Sequence, residues 1–220
     1  LSRNCKGAYA KLEQPMLENF INYVRIEDPS INESVWKAMV IGQHYGLPTR
    51  LLDWTHSTLV ALHFANTEDD LDRLSQRDCV VWRIDLRDLN RNLPQKYKDF
   101  LDSKKTFVFS LDGLSEVADN IQQYDADMGS NAMACFEPPS VDQRIANQYS
   151  FFSVVPSGIS NLEEFLDTHT ENTVKYIIDK GIRWQLRDIL DQFNINERMI
   201  YPGKAGIAKW LARHYFVKRK

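Results

Sequence analysis

Between His44 and Thr55 the chain concentrates an imidazole (His44), a phenol (Tyr45), a guanidinium (Arg50), a carboxylate (Asp53), an indole (Trp54) and two hydroxyls (Thr49 and Thr55). A guanidinium can hold phosphate bidentately, an aromatic ring can stack on a planar ligand, and a carboxylate can take a proton. Flexible filler is almost absent, and connectors with this density of polar function often carry binding or catalysis. The spacing names no reaction. A well-capped structural turn uses the same residues, with Asp53 paired to Arg50, Trp54 in the core and His44 as a loop hydrogen-bonding group. Composition leaves both readings open.

Other chemistries have less support. No Gly-x-Ser-x-Gly elbow and no glycine-rich phosphate loop occurs, which disfavours a hydrolase triad and the common nucleoside-triphosphate and dinucleotide folds. His44, His56 and His63 match no adjacent-turn ligand spacing, and Cys5, Cys79 and Cys135 form no C-x-x-C pair, so no metal is expected. Asp69, Asp70 and Asp72 read as a solvated loop rather than a magnesium cluster, and Lys218-Arg219-Lys220 as a solvated tail.

The elements that would position the polar stretch follow from periodicity. Leu12, Met16, Leu17, Phe20, Ile21 and Val24 predict a helix over 12–24, closed before Pro29. A second helix is expected over 33–42. Arg50–Trp54 reads as extended, and Ser57 as the cap of an apolar helix over 59–65. Strands are expected at 79–84 and, more loosely, 104–111 and 174–178. Residues 115–124 read as a helix, 125–134 as a loop, and 144–155 as one or two strands. Helices are expected over 162–166, 183–193 and 207–215. Trp36, Leu51, Leu62, Phe64 and Trp82 are the expected core. The class is α+β, one domain with a small mixed sheet flanked by helices and a helical part from 157 to 220.

With 220 residues, 43% hydrophobic, 26% charged and 11% aromatic, the chain can build a core without disulfides or metal. No apolar run is long enough for a membrane span. A net charge of −3 argues against nucleic-acid binding by bulk charge, though not against a local basic groove. Scattered cysteines and the lack of a secretory h-region point to the cytoplasm. The first residue is not methionine, which predicts a preceding segment.

Gln43-His44-Tyr45-Gly46-Leu47-Pro48-Thr49-Arg50-Leu51-Leu52-Asp53-Trp54-Thr55, followed by Ala61-Leu62-His63-Phe64-Ala65, closely resembles the signature of the FRG domain family. Arg144-Ile145-Ala146-Asn147-Gln148 with Phe152 resembles that family's second block, and Tyr201-Pro202 with Gly206-Ile207 its closing one. The aromatic-Arg-Gly tripeptide of the family is absent from the sequence, and Ser150 stands where the second block has glycine. The block order further resembles that of ADP-ribosyltransferases, in which a strand ending in Ser/Thr precedes an Ala-x-x-Phe-Ala-like helix and a later strand bears Glu or Gln.

That resemblance implies NAD, or a related nucleotide, as substrate, with a protein or nucleic-acid target. The setting it implies is an effector or toxin in a bacterium or phage-infected cell. It implies Gln148 as the ribose-positioning group and Asp53 or Glu137 as base. His44, Tyr45, Thr49, Arg50, Trp54, Thr55 and Arg144 would bind the dinucleotide. His44, Arg50, Asp53 and Gln148 are expected to line one cleft. The rival is a non-catalytic module that binds a nucleotide or a protein; a nuclease-like toxin is weaker.

Overall fold

The computed structural model describes residues 9–68, 70–138 and 143–217; Cys5, Asp69 and the basic tail lie outside them. In chain order the elements are α1 (Tyr9–Val24), α2 (Val35–His44), β1 (Leu51–Thr55), α3 (Thr58–Ala65), β2 (Cys79–Arg83), α4 (Leu86–Asn90) and α5 (Gln95–Lys104). Then come β3 (Phe109–Ser110), α6 (Leu111–Val117), α7 (Ile121–Met128), β4 (Ala134–Glu137), α8 (Gln143–Gln148) and β5 (Ser150–Val154). The last are α9 (Leu162–His169), β6 (Val174–Ile178), α10 (Arg183–Gln192), α11 (Glu197–Ile200) and α12 (Lys204–His214). One sheet has the order β1-β5-β4-β3, with β3 parallel and β5 antiparallel to β4. The other is the antiparallel pair β2-β6. The class is therefore α+β with a small mixed sheet.

The chain divides into two compact units. The first comprises Leu1–Asp53, Asp85–Pro139 and Phe152–Glu171. Its core joins Trp36, Met39 and Val40 of α2 to Tyr97, Leu114, Tyr124, Phe136 and Val154. Buried polar atoms there are matched: Trp36 Nε1 donates to the Ala118 carbonyl at 2.8 Å, and the Tyr124 hydroxyl donates to the Val154 carbonyl at 2.7 Å. The same hydroxyl accepts from the Ala134 N–H, so both aromatic anchors also tie backbone in place.

The second unit comprises Trp54–Ile84, Ser140–Phe151 and Asn172–Lys220. Val60, Leu190, Ile195 and Ile200 pack together in it. Its interior is markedly polar, holding His63, Asn66, Arg183, Arg187, Asn196 and Glu197. Arg183, wholly buried, donates to Asn66 Oδ1, the Arg77 carbonyl and Glu68, so its charge is compensated where water is excluded.

Several elements differ from the pattern expected of the sequence. Residues 104–111 yield only β3, because α5 runs through Lys104 and Lys105 turns left-handed at φ 54. The helix expected over 115–124 is two: Ala118 is extended and Asn120 caps α7 by accepting from Gln123. Asp125–Met128, expected as loop, continues α7, since Ile121, Tyr124 and Met128 repeat at helical spacing and are buried. Residues 144–148 are helix rather than strand. β5 starts only after Tyr149, at φ 50, reverses the chain. The single buried apolar residue of α8, Ile145, is enough to seat one short helical turn but too few for a two-sided strand.

Of the expected core, Trp36 and Leu51 are buried, Leu62 and Trp82 are half-buried, and Phe64 is 39% exposed. In α3 the inward face is Val60 and His63, three residues apart. That phase turns Phe64 outward.

Candidate functional site

In the first unit the polar stretch begins where α2 ends. Ser34 caps that helix by accepting from the Lys37 N–H. At the far end Gly46 adopts φ 90, and the Leu47 N–H returns to the Gly42 carbonyl at 2.8 Å. The side chain of Leu47 lies over Gly42, where a Cβ would come within 2.9 Å of it. Gly46 and Gly42 thus let the chain fold back on the helix. Gln43 then bridges the turn. Its Oε1 accepts from Thr49 Oγ1, and its Nε2 donates to Asp53 Oδ2 at 3.0 Å. Thr49 Oγ1 also accepts from the Leu51 N–H at 3.2 Å. His44 stands edge-on to Tyr45, which is 76% exposed, and Asp53 and Glu137 are exposed.

Arg50 lies deeper. Its Nε donates to both Glu13 oxygens at 2.9 Å, Nη2 donates to Glu13 and Nη1 to Asp125. Both the Arg50 and Glu13 side chains are nearly sealed from solvent, at 6% and 4% exposure. Burial opposes the guanidinium charge, but its hydrogen bonds to the Glu13 and Asp125 carboxylates, with their charges, more than offset this and raise the pKa. The carboxylates that hold Arg50 come from α1 and α7 rather than from its own turn. Asp125 also accepts from the Ser157 N–H at 3.0 Å. A phosphate at Arg50 would have to displace two anions.

The second unit holds Trp54, Thr55, Arg144 and Gln148. Thr55 Oγ1 donates to the Gln148 carbonyl at 2.7 Å and accepts from the Ser57 N–H, while the His56 N–H donates to the Tyr149 carbonyl. Ser57 in turn caps α3 by accepting from Val60. Trp54 and His56 both stack on Phe151, with centroids 6.4 and 4.7 Å away. Gln148 ends α8 rather than lying on a strand. Its Oε1 is 3.5 Å from Ser150 Oγ, and its buried Nε2 finds no partner among the described residues. Arg144 lies 5.2 Å from the centre of the Tyr201 ring.

His63, absent from the expected site, is wholly buried. Its Nδ1 faces Arg187 Nη1 at 3.0 Å, so Nδ1 accepts and Nε2 carries the hydrogen; Nε2 has no partner among the described residues. Desolvation, reinforced by Arg187, lowers its pKa from 6.5 to about 4. Arg187 also donates to the Ile195 carbonyl, and Arg213 is clamped by Glu197 and Asp191. The available sequence signal was weak: an imidazole three residues after Val60 in an otherwise apolar helix.

Among the described residues no group of three or more His, Cys, Asp or Glu is placed to hold a metal ion, and no helix is long and apolar enough to cross a membrane. No curated protein and no solved structure matches the chain. The family model of the FRG domain matches residues 1–73, a segment that contains the Gln43–Thr55 turn and all of α3. Over these residues, about a third of the chain, the protein is similar to the FRG domain family.

Proposed function

We propose that the chain is an ADP-ribosyltransferase-like protein that takes NAD as substrate, with the ribose end held in the second unit. The observation that carries this reading is the junction of β1 with the α8–β5 turn. There Thr55 and His56 bond to Gln148 and Tyr149, beside the Trp54–Phe151–His56 stack and a buried carboxamide N–H with no partner among the described residues. A buried, unmatched amide donor is costly unless something accepts from it. A ribose hydroxyl is such an acceptor, and a planar nicotinamide suits an aromatic stack.

In the reaction the bond from nicotinamide nitrogen to ribose C1′ breaks, with its electron pair leaving on nicotinamide. A nucleophile of the target bonds to C1′ and surrenders its proton to a base. Gln148, a carboxamide, positions rather than deprotonates. Asp53→Asn and Glu137→Gln variants test whether either carboxylate serves as the base. Arg144, which has no carboxylate partner among the described residues, is the cation for the pyrophosphate, and Arg50 is a framework residue. One observation favours the rival, a nucleotide- or protein-binding module without catalysis: the signature arginine is saturated by Glu13 and Asp125.

The test is incubation with labelled NAD, following nicotinamide release and label transfer. Gln148→Ala is expected to lower turnover by about 10²-fold, the cost of a misplaced reacting group, with a smaller change in Kd. Arg144→Ala is expected to weaken binding about ten- to a hundred-fold through loss of a charge-assisted contact. Saturable NAD binding with no nicotinamide released by the folded wild type would establish the binding module instead.

A further inference from the structure

Away from these residues, the first unit contains a groove of about 390 Å³ between α4, α5 and the loop that precedes β3. Arg87, Asn90, Arg91, Lys98, Asp102 and Phe107 line it. Its volume is in the range of sites that take small organic ligands. Phe107 is 52% exposed although its neighbour Phe109 is buried. The ring does not hang on a loose segment. Asn90 Nδ2 donates to the Phe107 carbonyl at 2.8 Å, the Val108 N–H donates to Thr106 Oγ1, and the Thr106 N–H returns to the Leu101 carbonyl. The Arg87 guanidinium lies 4.8 Å from the ring centre, and the ring stays half-exposed and open to a stacking partner.

The charges favour an anion. Arg87 and Lys98 have no carboxylate partner among the described residues, whereas Arg91 is shared between Asp88 and Glu171. Asp102 is the one carboxylate in the wall. A half-exposed aromatic ring beside two uncompensated cations combines the contacts that recognise a base and its phosphate: stacking on the ring and charge-assisted bonds to the anion.

We propose that this groove binds a nucleotide unit, its base on Phe107 and its phosphate between Arg87 and Lys98. The unit belongs either to a free mononucleotide or to a single-stranded nucleic acid, and AMP and a fluorescein-labelled ten-nucleotide single-stranded RNA tell the two apart. Titrations of the full chain at low salt are expected to saturate with AMP, with the RNA, or with both. Phe107→Ala should weaken binding about five- to a hundred-fold, the usual cost of losing one stacked base. For the RNA, Arg87→Gln and Lys98→Gln should each flatten the slope of log K against log salt by about 0.7. RNA binding that is tighter than AMP binding assigns the site to nucleic acid, and the reverse assigns it to a free nucleotide.

Gln148→Ala and Arg144→Ala serve as controls, since binding that follows these two and ignores Phe107 places the ligand elsewhere and overturns the proposal. So does displacement of the probe by tripolyphosphate as effectively as by AMP, which would mean that charge alone is read. All five groove and control side chains lie at the surface or partly so, and thermal melts confirm that each variant is folded.

Discussion

Arg50 is the residue in which sequence and structure diverge most instructively. A guanidinium in a polar turn suggests a phosphate ligand, yet here it joins α1 and α7 to the start of β1 through Glu13 and Asp125. Removing one partner of a buried pair strands the other charge, so Arg50→Ala is expected to cost about 3–5 kcal/mol. Urea denaturation measures this, and Glu13→Gln should bring a loss of the same kind. A change under about 0.5 kcal/mol, typical of surface sites, would show that the pair is not buried as described.

His63 carries the opposite logic, because its burial excludes charge. It faces Arg187 on α10, with Glu197 on α11, Asp191 on α10 and Arg213 on α12 acting at longer range. Its folded pKa of about 4 lies below the ordinary 6.5, so between these values the unfolded chain takes up a proton that the folded chain refuses. The stability tied to His63 is therefore complete above pH 6.5 and is lost as pH falls toward 4, by up to about 3 kcal/mol. His63→Gln keeps an acceptor for Arg187 and cannot titrate. It should flatten stability against pH in that window; an unchanged profile would mean that other groups set it.

Among the elements, α12 shows how a glycine can set a docking distance. A Cβ at Gly206 would lie 1.8 Å from the Tyr201 carbonyl and 2.6 Å from that of Glu197. Backbone cannot yield as a side chain can, so Gly206→Ala should cost at or above the upper end of the usual 1–3 kcal/mol for overpacking. At Gly42 the nearest atom is Leu47 Cδ2 at 2.9 Å, the end of a flexible side chain, and Gly42→Ala should cost clearly less. Equal melting temperatures for the two variants would contradict this. The same scale explains why residues 144–148 form a helix rather than the expected strand. Arg144–Gln148 has no apolar period of its own, and its helical turn is held by a tertiary bond from Asn147 Nδ2 to the Met199 carbonyl at 2.7 Å.

At the scale of the molecule the two units have interiors of different chemistry. The first is built on a large apolar and aromatic cluster, and the second mixes eight buried apolar residues among the described ones with buried arginines, a histidine and a glutamate. Acid should therefore reach the second unit first. In hydrogen exchange near pH 5, amides of α3, α10 and α11 are expected to lose protection before those of α2 and β4. Simultaneous loss in both sets would show one cooperative unit instead.

The sequence by itself determined the long periodic helices, the strand after the Gly-Pro turn, the Ser57 cap, the α+β class and the likeness of residues 1–73 to the FRG domain. Each of these is written in neighbouring residues, through apolar spacing, cap chemistry or an unbroken motif. Only the tertiary structure decided that Arg50 belongs to Glu13 and Asp125, that His63 rather than Phe64 turns inward, and that Gln148 ends a helix with its amide N–H unmatched among the described residues. Each of those facts depends on partners 37 to 124 residues away in the chain. No local pattern encodes which buried cation will meet which carboxylate, because that pairing is set by how the helices pack.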